Sequence, residues 1–140
     1  MSTSANDFNS QVIAEFRANN GVVGGMFAGA QILLLHHTGA KSGKAYVTPL
    51  VCRKDGEDYV IFASKAGAPT NPDWYHNLKA HPEVTIEAGN DTLLVIASEA
   101  QGERRERLYA EQVHDMPTFA EYQEKAGRII PVIVLTPSAT

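Results

Sequence analysis

This chain is short of several things, and each shortage closes off a class of function. Among its 140 residues there is one cysteine, Cys52. That excludes an intramolecular disulfide and a cysteine-based zinc knuckle, and it suits a reducing cytoplasm. No run approaches the roughly 20 apolar residues of a membrane-spanning helix. The N-terminus lacks a basic flank followed by an apolar core, so secretion is not expected. Basic residues are in the minority, 12 Lys and Arg against 16 Asp and Glu, for a net charge of −4. Non-specific nucleic-acid binding needs a basic face, so no nucleic-acid partner is expected. A small anionic ligand stays open, because a local cluster can be positive on a negative protein. There is no internal repeat and no linker. The glycine-rich stretch from Val22 to Ala30 has no preceding strand and no Gly-x-Gly-x-x-Gly, so it reads as a close-packed connector and not as a dinucleotide loop.

What is present begins with the stretch from Ile32 to Leu50, ILLLHHTGAKSGKAYVTPL. An apolar run stops at Thr38-Gly39-Ala40-Lys41-Ser42-Gly43-Lys44, and a second extended run carries the chain away. Strand, basic loop and strand make a backbone suited to an anion: glycines allow a tight turn, amides can point inward and lysines sit beside them. The alternative is an ordinary solvated turn. His36 and His37 are neighbours on a strand and point to opposite faces, so they cannot both ligate one metal, and one of them can look toward a site. No metal is expected.

Further along, Lys54-Asp55-Gly56-Glu57 is a hairpin turn, and a third strand from Asp58 to Ser64 ends at a second small-residue loop, Ser64-Lys65-Ala66-Gly67. If these strands are neighbours, Lys41 and Lys65 come from adjacent loops and can converge on phosphate or carboxylate. Asn71 and Pro72 open a short helix that Pro82 ends. Its Trp74, the only tryptophan, faces the core or stacks on a flat ligand. Strands from Glu83 to Ala88 and Thr92 to Glu99 form a hairpin. Helices follow from Gly102 to about His114 and from Met116 to about Ala126, and a last strand runs from Ile129 to Leu135. At the N-terminus, Asn6 or Asp7 caps a helix running to about Asn20, with Phe8, Val12, Ile13 and Phe16 on one face. That face packs on the sheet, covers a substrate or lies on a membrane surface. The whole reads as one α+β domain spanning residues 1–140, with residues 1–6 disordered, around a small antiparallel barrel of about six strands with flanking helices.

Taken together and in order, four pieces resemble a known family: EFRANNGVVGG, HTGAKSGKAYVTPL, ASKAGAPTNPDWYHNLKAHPEV and RIIPVIVLTP. They are similar to the deazaflavin (coenzyme F420)-dependent nitroreductases of actinobacteria, split β-barrel proteins related to FMN-binding flavin reductases. The resemblance covers nearly the whole chain. It implies coenzyme F420, which is aromatic at one end and carries a phosphate and an anionic polyglutamate tail at the other. By resemblance, Ala40, Lys41, Ser42 and Lys65 meet the phosphate and tail. Val47, Thr48, Pro49, Leu50 and Val51 run along the deazaflavin, Ala63 and Ser64 close that side, and Asp73, Trp74, Tyr75, His76 and Asn77 wall it. Ser64 and Tyr75 are the catalytic candidates, as polar groups beside the ring. The implied activity is hydride transfer from F420H2 to a small-molecule acceptor: a quinone, a nitro compound or an activated alkene. An FMN-dependent relative, or a protein that holds F420 without turnover, is the alternative. The implied place is the cytoplasm, with peripheral membrane contact through the N-terminal helix.

The chain also departs from the family pattern. His36 and His37 stand where threonines are common, Ala40 where a basic residue is, and Tyr46 where arginine is. Weaker or more salt-sensitive cofactor binding is therefore expected. On the substrate side, Met116 and Phe119 replace tyrosines and only Tyr122 remains, which favours an apolar conjugated acceptor such as a quinone over a nitroimidazole.

Overall fold

The computed structural model describes residues 4–19, 21 and 31–138. Six strands form a closed antiparallel barrel in the order β1-β2-β3-β6-β5-β4. They are β1 (Ile32–Thr38), β2 (Ala45–Asp55), β3 (Asp58–Phe62), β4 (Glu83–Ala88), β5 (Asp91–Glu99) and β6 (Val132–Pro137). The helices are α1 (Ser4–Ala18), α2 (Asp73–Ala80), α3 (Gly102–Asp115) and α4 (Thr118–Ala126), with one turn of 3-10 helix at Lys65–Gly67. The expected connector from Val22 to Ala30 lies outside the described residues, as do the side chain of Phe8 and residues 1–3. Helix α1 begins at Ser4, ahead of the cap expected at Asn6 or Asp7.

The apolar run ILLL of β1 shows no alternation because both its faces are buried. Leu33 and Leu35 point into the barrel, with Cys52, Ile61, Val84, Ile86, Val95, Ile133 and Leu135. Ile32 and Leu34 point outward beneath Val12 and Phe16 of α1. The apolar face of α1 is thus covered by the barrel, which removes the main support for a membrane-facing role. A second outer cluster lies under α3 and α4, where Leu108, Tyr109 and Phe119 pack on Val60, Phe62, Val132 and Val134. Two of the helix ends depend on glycine. The Gly21 amide reaches back to the Phe16 carbonyl at 2.8 Å, closing α1, and a Cβ at Gly21 would stand 2.8 Å from the backbone of Gly89. Gly127 closes α4 at φ 66 in the left-handed region.

Two strand ends differ from the sequence reading. The third strand stops at Phe62, because the chain turns at Ser64 into the 3-10 turn. The last strand starts at Val132 and not at Ile129, which is 75% exposed. Pro131 has no amide to give a ladder, though its carbonyl still accepts from Ala63 at 3.0 Å.

Barrel and α1 are also joined by charge. Glu87 of β4 accepts from Arg17 at 2.7 Å and pairs with His36 at 2.6 Å. The Arg17 bond, followed by the His36 bond, holds the Glu87 carboxyl at about 2, below its ordinary 4.5. A depressed carboxyl stabilises the fold above its ordinary value, and that share is lost as pH falls through the lowered one. Arg17 is half exposed, so screening limits the pair to about 1 kcal/mol. Glu87→Gln is accordingly expected to cost about 1 kcal/mol in urea unfolding at pH 7 and little near pH 2. Equal losses at both pH values would show that the charge is not what matters.

Candidate active site

The antiparallel order makes β1 and β3 run the same way, so the loops after Thr38 and Phe62 leave the barrel at one end. Helix α2 closes that end: Trp74 and Leu78 join the barrel's inner core one helical turn apart, and Asn77 is buried beside them. Between α2 and the first loop lies a cleft of about 800 Å³, lined by His37, Gly39, Ala40, Lys41, Ser42, Tyr46, Thr48, Asp73, Trp74, His76 and Asn77. That is within the usual range for a small-molecule site.

The first loop is closed by its own backbone. The Gly39 amide donates to the Lys44 carbonyl at 2.8 Å, the Gly43 amide to the Gly39 carbonyl at 3.0 Å, and the Lys44 amide to Ser42 Oγ at 3.2 Å. These bonds leave the lysine side chains out of the loop's construction. Neither Lys41, Lys44 nor Lys65 has an acidic partner among the described residues, whereas Arg17, Arg53, Arg104, Arg107 and Lys79 all do.

Beside this loop, β2 has an open edge. Its Cys52 amide donates to the Gln31 carbonyl on the β1 side at 2.9 Å. The register with β1 runs unbroken from Ile32 against Val51 to Thr38 against Ala45. Alternation along an antiparallel ladder then turns Tyr46, Thr48 and Leu50 toward β1 and Val47 and Pro49 away from it. On that far side β3 pairs only as far as Cys52 against Ile61. Beyond it β3 continues along β6 while β2 stays with β1, which is the split of the barrel. Among the described residues no strand pairs with the Val47 amide and carbonyl or the Pro49 carbonyl. Proline fits here because the donor it lacks would face this open edge.

Each expected residue can now be placed. Ala40, Lys41, Ser42, Thr48, Asp73, Trp74, His76 and Asn77 meet around the one cleft. Val47 and Val51 turn their side chains onto the α1 cluster and Leu50 onto the inner core, so from these positions the open edge offers backbone. Ala63 is buried in the inner core. Ser64 is nearly buried; its carbonyl accepts from Gly67 at 3.0 Å, and its hydroxyl has no partner among the described residues. Lys65 is exposed and holds φ 48, the only non-glycine left-handed residue among those described. Such a conformation in a residue with a side chain is sparsely populated and marks a loop held from outside.

Tyr75 sits a third of a turn from Trp74 and faces elsewhere. Its hydroxyl donates to Glu99 at 2.8 Å beside a smaller cavity of about 210 Å³. Burial first, then the Glu99 bond, raises its pKa. Met116, Phe119 and Tyr122 gather in the cluster under α3 and α4, away from the cleft lining; Phe119 is buried, and the backbone of Tyr122 lies beside the second loop at Gly67.

Residues 9–137 match the family described as F420H(2)-dependent quinone reductase. The chain belongs to that family. It is 40% identical over 127 residues to an F420H(2)-dependent quinone reductase of Mycobacterium tuberculosis, covering 88% of this chain and 85% of that protein. A solved F420-H2 dependent reductase superposes with a TM-score of 0.68 and 42% identity, over 74% of this chain and 92% of its own. A second solved chain, described as a domain-swapped dimer, superposes with a TM-score of 0.70 and 36% identity, over 94% of this chain and 99% of its own. As a member of the family the protein is an F420-dependent oxidoreductase on a split β-barrel, and its cofactor is coenzyme F420.

Sequence reasoning left three cleft-lining residues out of the site: His37, Gly39 and Tyr46. For His37 the signal was present. It shares the inner face of β1 with Leu33 and Leu35, at the end where the barrel opens. Arg128 was quoted within RIIPVIVLTP without a role, and its partners in the second loop have no sequence signature.

Proposed function

We propose that the protein reduces a quinone using F420H2 held in the cleft between the Thr38–Lys44 loop and α2. The observation that carries this reading is the open edge of β2 beside lysines that have no acidic partner. A flat ring with an amide-like edge can bond the Val47 amide and the Val47 and Pro49 carbonyls, as a further strand would. Lys41, Lys44 and Ser42 then meet the anionic end of the same molecule, and Lys65 reaches it from the second loop. Trp74 and Tyr46 supply flat apolar walls, and Thr48, Asp73, His76 and Asn77 supply polar contacts.

Bound F420H2 supplies the hydride. The chain's part is to hold the ring, exclude water and leave a proton donor in reach. Tyr75 is committed to Glu99, so Ser64, with its uncommitted hydroxyl, is the candidate for proton delivery. Met116, Phe119 and Tyr122 form the apolar acceptor side, and their cluster meets the second loop where the Tyr122 backbone stands against Gly67. The quinone named for the family fits an apolar conjugated acceptor. The buried Cys52, its thiol pushed up to about 12 by burial, is compatible with a cytoplasmic setting.

Fluorescence of Trp74 tests the reading. Titration with F420 is expected to quench it and titration with FMN to leave it nearly unchanged; quenching by neither removes the proposal. Reoxidation of F420H2 is then followed with a soluble naphthoquinone, a nitroimidazole and an activated enone. Fastest turnover is expected with the naphthoquinone, and tight binding without turnover on any acceptor would mark a sequestering protein. If Ser64→Ala turns over as fast as the parent, the serine has no part in proton delivery.

A further inference from the structure

His37 is 6% exposed and forms no ion pair among the described residues, yet both its ring nitrogens are engaged. The direction of every bond around it follows from one donor that has no alternative. The Ala40 backbone amide can only donate, and it donates to Asn77 Oδ1 at 2.8 Å. The Asn77 amide is therefore oriented, and its Nδ2 hydrogens face His37 Nδ1 at 2.9 Å. Nδ1 must accept, so the ring proton sits on Nε2 and is given to Thr48 Oγ1 at 2.8 Å. With its oxygen accepting, Thr48 has its hydroxyl hydrogen left to give, and Thr48 lines the cleft. Tyr46 stacks over the imidazole, with ring centroids 5.5 Å apart and planes 23° from parallel.

We propose that His37 is a positioning residue for the cofactor: through Asn77 it fixes the Ala40 end of the anion loop, and through Thr48 it presents one directed hydroxyl donor to an acceptor atom of the cofactor. This rests on the cleft being the F420 site. The chain of bonds works for the neutral ring only. An imidazolium carries a proton on both nitrogens, and its Nδ1 hydrogen would face the hydrogens of Asn77. Burial lowers the His37 pKa, Asp73 of α2 raises it and His36 on its own strand lowers it, with the net shift downward. The other ionisable groups around it are Tyr46 of β2, Lys41 of the loop, His76 of α2 and Glu83 of β4. The network is thus intact above the lowered pKa and is lost as pH falls through it.

The first test needs no cofactor. Nitrogen-15 NMR of the unliganded protein at pH 7.5 should show His37 as the Nε2–H tautomer, and an Nδ1–H tautomer or an imidazolium overturns the assignment. The second is a double-mutant cycle on F420 affinity, read by Trp74 fluorescence, with Thr48→Val and His37→Phe, the latter keeping a ring against Tyr46. Thr48→Val alone should weaken binding roughly 5-fold. His37→Phe should weaken it more, and adding Thr48→Val to it should cost almost nothing further. Full additivity, or no loss in Thr48→Val, overturns the relay. Failure of the parent protein to bind F420 would instead sink the proposed function, and the tautomer result would stand apart from it.

Discussion

Arg128→Ala is expected to destabilise the protein by about 2–4 kcal/mol and to lower F420 affinity at least tenfold, although Arg128 does not line the cleft. Its guanidinium donates from Nε to the Ala68 carbonyl at 3.2 Å and from Nη1 to Asn71 Oδ1 at 2.6 Å. Its Nη2 reaches the carbonyls of Thr70 at 2.9 Å, Ala63 at 3.2 Å and Ser64 at 3.5 Å. No carboxylate pairs with it among the described residues. One planar group therefore gathers four carbonyls from Ala63 to Thr70, along the segment between β3 and α2. The segment carries Lys65 in its left-handed conformation and delivers Trp74 and Asn77 to the cleft. Without the guanidinium, the buried carbonyls of Ala63 and Ser64 lose a charged donor, and the exposed ones turn to water. The loop then has no reason to keep Lys65 at φ 48.

Urea unfolding and F420 titration of Arg128→Ala and Arg128→Lys check this. Lysine keeps the charge but concentrates its donors at one point, so it should recover less than half of either loss. If the alanine variant unfolds within about 0.5 kcal/mol of the parent, the segment is held by something other than Arg128.

This residue also shows why part of the fold could be read from the sequence and part could not. Local chemistry set the hairpin at Asp55-Gly56, the end of α4 at Gly127 and the buried strand ILLL, and each is where periodicity and turn residues put it. The end of β3 was read two residues late. The apolar run continues through Ala63, but Arg128, 65 positions away, takes the carbonyls of Ala63 and Ser64. No window of sequence around Ser64 contains that cause. The site divides in the same way. The two lysine loops and the tryptophan helix were legible as motifs, and helical phase alone separates Tyr75 from Trp74 and Leu78. The contact between His37 and Asn77 joins residues 40 apart and exists only because α2 folds over the end of β1. Its consequence, a threonine hydroxyl with its hydrogen turned to the cleft, depends on bond directions that no residue type reveals by itself.

The double variant Lys41→Ala with Lys44→Ala is expected to weaken F420 binding about 10- to 50-fold and to flatten its salt dependence. The argument is one of contrast. On a chain of net charge −4, many cations are neutralised by neighbouring carboxylates: Arg104 and Arg107 share Asp55, and Arg53 reaches Asp115 at 3.0 Å. The lysines of the first loop are not neutralised, and the backbone bonds that shape the loop do not need them. Removing them should therefore change affinity and leave stability nearly unaltered, the reverse of the balance expected at Arg128. Charge specificity can be separated from general damage with a deazaflavin that lacks the phosphate and tail. Its affinity should be equal in the parent and the double variant, and an equal loss for both ligands would mean that the loop's shape, and not its charge, was disturbed. The same contrast bears on Ala40 and Tyr46, where the family resemblance implies basic residues. The Ala40 amide is held by Asn77 and Tyr46 stacks on His37, so both positions help to fix the imidazole and the loop. A clamp with fewer charges should bind its anion more weakly but with a shallower salt slope than one that is basic at both positions, the reverse of the salt sensitivity expected from the sequence, because fewer charge contacts are left for salt to screen; titrations across salt concentration, with Tyr46→Arg beside the parent, would decide it.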